Sequence, residues 1–120
     1  MQKLLLFNAD NRPFAVSLIE QIFRSESGFQ EVRFNEPGGA AIEADYLDGP
    51  DYTIVRLSGN RETISLSGTT DAALRAALIL QRHLSASLRI IDLDYSFDLV
   101  LQDFTRVEEL RTAIINAQTG

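Results

Sequence analysis

From Arg89 to Gln102 the chain reads RIIDLDYSFDLVLQ. Every odd position from Ile91 to Leu101 is large and apolar (Ile91, Leu93, Tyr95, Phe97, Leu99, Leu101). The even positions between them are Asp92, Asp94, Ser96, Asp98 and Val100. A period of two marks a strand with one face buried and the other in water. The spacing predicts a strand whose odd side chains floor the core while Asp92, Asp94 and Asp98 stand in a row outside. At about 3.3 Å per residue, the stretch would span roughly 45 Å, longer than the roughly 35 Å diameter of a domain this size. One twisted strand, or two near-collinear pieces, is therefore expected. A tight hairpin at Asp94-Tyr95 is disfavoured, because neither Gly nor Asn stands there to take a positive φ.

On the N-terminal side of this stretch, Asp71 to Leu84 is apolar over most of its girth, broken only by Arg75, Gln81, Arg82 and His83. It predicts a helix packed between the sheet and a second helix or a partner. Thr70 is its expected cap, and Asp71 sits where the helix dipole favours an acid. Further back, Lys3–Phe7 predicts a strand covered on both faces. Asp10 or Asn11 is the expected cap of a helix with Pro13 in its first turn and Phe14, Leu18 and Ile22 on its apolar stripe, ending at Gly28. Alternating residues around Val32 and Phe34, from Ala40 to Tyr46, from Tyr52 to Leu57, and from Glu62 to Leu66 predict an antiparallel meander. Its turns fall at Glu36-Pro37-Gly38-Gly39, Asp48–Asp51 and Ser58–Arg61. On the C-terminal side, Thr105-Arg106-Val107-Glu108 reads as a capping box opening a helix with Val107, Leu110, Ile114 and Ala117 inward. The order β-α-β-β-β-β-α-β-α is a single α+β domain over residues 1–120. Its sheet is mostly antiparallel, of five to six strands, with three helices on one face.

The 120 residues carry one lysine and ten arginines against seventeen carboxylates, a net charge of −6. That balance argues against nucleic acid, whose phosphates need clustered cations. No apolar run reaches the roughly 20 residues of a membrane-spanning helix, and no membrane association is expected. The opening MQKLLLFNADNRPF is too short in its apolar part for a secretory signal and shows no small-residue cleavage site. With no cysteine to form disulfides or thiolate metal sites, this suits a cytoplasmic location.

The three aspartates invite a calcium-loop reading. Its sixth position should be Gly and is Phe97, and its twelfth should be Glu and is Asp103. A hydrolase with paired carboxylates is a second reading, but an exposed strand lacks the apolar wall that would raise one pKa. His83, the only histidine, reads as a dipole-compensating residue at a helix end. Arg75 and Arg82, seven apart on one helix face, read as ion-paired with nearby carboxylates. No catalytic residue, cofactor or metal ligand is expected. A solvated acidic face costs a little stability, since like charges about 6.7 Å apart repel by roughly 0.6 kcal/mol in a water-like medium. It also protects against edge-to-edge aggregation and complements a cationic partner. Glu43, Asp45, Asp48 and Asp51 form a second acidic run, and the two runs would make one patch if they lay side by side.

The segment Thr70–Leu84, followed by LRIIDLDYSFDLVL and VEELRTAI, resembles small acidic immunity proteins encoded beside bacterial polymorphic or contact-dependent toxins. The resemblance covers roughly the last half of the chain and rests on small size, acidity and an alternating acidic strand before a C-terminal helix. It implies a cytosolic protein that neutralises a cognate toxin, often a basic nuclease, by one-to-one binding. The expected docking surface is Asp92, Asp94, Asp98, Glu43, Asp45, Asp48 and Asp51, with Tyr46 or Tyr52 as aromatic anchors. The alternatives are a small ligand-binding or hydrolytic domain using surface carboxylates, and a structural domain that forms a homodimer through the apolar helix Asp71–Leu84.

Overall fold

The computed structural model describes residues 3–36 and 39–119. The strands are β1 (Lys3–Asn8), β2 (Phe29–Glu36), β3 (Ala40–Asp48), β4 (Asp51–Ser58), β5 (Ile64–Ser67), β6 (Leu88–Asp92) and β7 (Asp98–Val100). The helices are α1 (Val16–Ser25), α2 (Asp71–His83) and α3 (Val107–Thr119), with a 3₁₀ turn at Leu101–Asp103. All seven strands form one sheet in the order β2-β3-β4-β5-β1-β6-β7, antiparallel at every junction. The expected α+β architecture holds, with one more strand than the longest count expected. The predicted turn at Glu36–Gly39 includes Pro37 and Gly38, which lie outside the described residues.

α1 lies over β2 and β3, α2 over β3, β4 and β5, and α3 packs on α2. All three helices serve one face of the sheet. Along β1, Leu4, Leu6 and Asn8 turn toward that face and are buried, whereas Lys3, Leu5 and Phe7 are half-buried on the opposite face. β1 is therefore covered by helices on one side only, not on both as its continuous apolar run suggested. The predicted packing of α2 is correct. Nine of its residues from Ala72 to Gln81 are buried between the sheet and the α3 layer. The apolar side chains of α2 are therefore covered within the chain itself.

The stretch from Arg89 to Gln102 is not one long strand but a hairpin. After Asp92 the chain reverses through Leu93–Phe97 and returns as β7, pairing Arg89 with Val100, Ile90 with Leu99 and Ile91 with Asp98. The Asp92 side chain closes the turn by accepting from the backbone N–H of Ser96 at 2.7 Å and from its hydroxyl. The Tyr95 N–H donates to the Asp92 carbonyl at 3.2 Å. Tyr95 takes φ 55°, the left-handed conformation for which the sequence offers no Gly or Asn. Only Ile91, Phe97 and Leu101 among the odd side chains are buried. Leu93 and Tyr95 are exposed at the tip, and Leu99 is partly covered. A principal extent of 39 Å leaves no room for the roughly 45 Å rod, and folding it back satisfies β6 along its outer edge.

Three helix starts also differ from expectation. α1 begins at Val16 after Ala15, without a side-chain cap. Asp10 instead accepts from the Arg12 N–H at 3.1 Å, and Pro13 lies in the coil before the helix. Thr70 occupies the cap position of α2, but Asp51, from the start of β4, takes the Ala72 N–H at 3.2 Å. At α3 the Thr105 N–H and hydroxyl reach Glu109, one residue beyond the expected Glu108. Beyond α1, Gly28 has φ 101°, and a Cβ there would come within 2.9 Å of the Tyr46 ring. That close approach lets the Tyr46 ring pack at a tilt against Phe29, which in turn packs against Phe23, with ring centroids 4.8 and 5.0 Å apart.

Candidate functional site

The two acidic runs do not form one patch. β3 and β6 are separated by β4, β5 and β1, four interstrand steps or roughly 19 Å. Within the β3 run, each carboxylate has a structural partner. Glu43 is buried on the sheet face without helices, directly across from Arg33 on β2 and Arg56 on β4. Arg33 Nη2 donates to Glu43 Oε2 at 2.7 Å and to Asp45 Oδ1 at 3.1 Å. The Glu43 hydrogen bond, opposed by desolvation and helped by Asp45, holds the Arg33 guanidinium well above its ordinary pKa. Two arginines and two acids thus make a charge-balanced lattice on three strands.

Asp48 and Asp51 close the β3–β4 hairpin and face α2. Asp48 accepts from Arg75 Nε at 3.0 Å. The Asp51 carboxyl is held below the ordinary aspartate range by hydrogen bonds from Thr70, the Ala72 N–H and the Tyr52 N–H. It is the working cap of α2, since its charge meets the positive end of the helix dipole. Asp71 in turn pairs with Arg111 of α3. No local spacing signalled these roles, because the partners lie 21 to 40 residues away. Of the expected aromatic anchors, Tyr46 is buried in the core and cannot dock a partner, whereas Tyr52 is 59% exposed beside Leu47 across the β3–β4 pair.

The second run lies on the β6–β7 hairpin. Asp98, opposite Ile91, lies diagonally from Arg89 on the same face and accepts from its Nε at 2.9 Å. Asp92 serves the turn. Asp94 stands exposed at the tip with no ion pair among the described residues. Leu93 and Tyr95 flank it, 53% and 66% exposed. The Gln118 amide of α3 donates to the Ser96 hydroxyl at 2.9 Å and braces the tip against the helix. The odd-even alternation by itself places Leu93 and Tyr95 in the core, which the turn overrides. The D-x-x-x-S spacing of Asp92 and Ser96, which lets the carboxylate reach the Ser96 N–H, was the available signal for the turn.

His83 ends α2 and places Nε2 3.1 Å from a Glu26 carboxylate oxygen at the end of α1, joining two helix C-termini. No group of three or more His, Cys, Asp or Glu able to hold a metal occurs among the described residues. No helix in the described residues is long and apolar enough to cross a membrane. Comparison of the chain with protein-family models, curated proteins and solved structures gives no match.

Proposed function

We propose that the chain is a non-catalytic protein-binding module of the immunity type, which neutralises a cognate bacterial toxin by one-to-one binding in the cytoplasm. Its docking element is the β6–β7 tip. The observation that carries this reading is Tyr95, an exposed ring held at φ 55° between Leu93 and the turn-closing Ser96. A left-handed conformation costs a non-glycine residue roughly 1–2 kcal/mol. Glu31 and Arg61 take the same conformation, but of the three only Tyr95 presents a large exposed ring there, and strain of this kind collects at binding sites. Tyr95 and Leu93 supply the apolar anchor, while Asp92 and Asp94 supply charge for steering a basic partner. The β3 run contributes little steering, because Arg33, Arg56 and Arg75 compensate it.

The test uses the product of the neighbouring gene as the candidate partner, with binding kinetics read by surface plasmon resonance. Tyr95→Asn suits the left-handed backbone and is expected to leave thermal stability unchanged or higher. It should weaken binding by at least about tenfold, mainly through faster dissociation. Asp94→Asn should slow association and flatten its salt dependence. A Tyr95→Asn protein that binds as tightly as the parent would sink the docking assignment. A neighbour that neither binds the chain nor is toxic without it would sink the immunity reading.

A further inference from the structure

A cleft of about 540 Å³ opens between the second half of α2 and the segment that leads from the 3₁₀ turn into α3. Its apolar walls are Leu78 and Ile79 of α2 with Phe104 and Val107 opposite, and its polar rim carries Arg75, Arg82 and Arg106. Three of the ten arginines of an acidic protein therefore converge on one concavity, remote from the β6–β7 tip. Arg75 is already bonded to Asp48. The other two are held more loosely than the arginines that hydrogen-bond a carboxylate. Arg24, Arg33, Arg89 and Arg111 each hydrogen-bond a carboxylate directly. Arg82 comes no closer than 4.0 Å to Glu26, and Arg106 no closer than 3.5 Å to Glu108. Each thus has an ion-pair partner only at long range, and their side chains are 70% and 69% exposed.

We infer that this cleft binds a small organic anion, a carboxylate carried on an apolar ring or chain, with Arg82 and Arg106 gripping the anion from opposite walls. The cleft volume falls within the range of small-molecule sites, about 300–1,000 Å³. Guanidinium groups match a carboxylate through paired N–H donors, while Leu78, Ile79, Phe104 and Val107 offer the ligand body a place out of water. Glu108 also sits at the rim and carries the opposing charge. Its carboxylate is held below the ordinary glutamate range by its own backbone N–H and, more weakly, by Arg106, so an incoming anion competes with it for that guanidinium.

The probe is 2-naphthoate, titrated into the ¹⁵N-labelled protein and followed by amide chemical shifts. Saturable shifts are expected at Leu78, Arg82 and Phe104 through Glu108, with the β6–β7 tip unmoved. Uncharged 2-naphthalenemethanol should bind at least about tenfold more weakly, the difference expected for losing a charge-assisted contact. The Arg82→Gln/Arg106→Gln double variant should lose about tenfold, and Glu108→Gln should gain about threefold by removing a like charge. Both arginines are solvent-exposed, so an unchanged melting temperature is expected for the double variant. The inference is overturned if naphthoate leaves these amides unshifted at millimolar concentration, or if the neutral analogue binds equally well. It is equally overturned if inorganic phosphate competes as strongly as naphthoate, which would leave the apolar walls without a role.

Discussion

Removing the Glu43 carboxylate tests whether the β3 acids hold the sheet together or wait for a partner. Glu43 is 7% exposed, and its two cationic neighbours have side-chain exposures of 28% (Arg33) and 35% (Arg56). The 2.7 Å contact to Arg33 is a true charge-assisted hydrogen bond, a class worth about 1.5–3 kcal/mol. The 3.6 Å approach of Arg56 is not a hydrogen bond, and a pair that open to solvent is worth about 0–1 kcal/mol. Arg33 keeps Asp45 at 3.1 Å in the variant, which offsets part of the loss. Glu43→Ala should therefore cost about 2 kcal/mol of the roughly 6–18 kcal/mol expected for a domain of this length. In a thermal melt that is a fall of about 6–10 °C. Urea unfolding of the single and double variants then isolates the pairwise energies. Glu43 and Arg33 should couple by about 1.5–2 kcal/mol, and Glu43 and Arg56 by less than about 1 kcal/mol. A Glu43–Arg33 coupling below about 0.5 kcal/mol, or one smaller than the Arg56 value, would refute the reading of Glu43 as a structural counter-ion.

Asp51 ties acid stability to the α2 start. Its folded-state pKa is depressed by the Thr70, Ala72 and Tyr52 donors, so the stabilisation is full above the ordinary aspartate value and is lost as pH falls through the lowered one. Asp51→Asn should flatten the acid limb of a melting-temperature profile while keeping an acceptor for Ala72. An acid limb identical to the parent's would count against the capping role. Gln81 is buried, accepts from the Leu88 N–H at 2.8 Å and donates to the Ala86 carbonyl at 3.0 Å, joining the end of α2 to the start of β6. Gln81→Leu strands both backbone groups and should cost about 2–4 kcal/mol, with faster hydrogen exchange at the Leu88 amide as the local signature. Unchanged exchange there would show that the staple is dispensable.

The elements whose patterns run unbroken were legible from residues alone: the buried α2, the β3–β4 hairpin with its Asp48–Asp51 turn, and helices confined to one face. Local chemistry decides these, because helical and strand periods arise within a few residues of backbone geometry. Alternation cannot distinguish one long strand from two arms of a hairpin when the tip itself is apolar. Leu93 and Tyr95 keep the odd-even rhythm through the reversal, and the turn depends on a carboxylate reaching the Ser96 N–H. Nor does sequence spacing reveal where a charge is spent. Asp48 and Asp51 look like one acidic surface with Asp92 and Asp94, yet the tertiary fold gives the first two an arginine or a helix start and leaves Asp94 in water. Composition set the net charge of −6; only the packing of distant segments decided which carboxylates are neutralised, since Coulomb and hydrogen-bond energies depend on separation in space rather than along the chain.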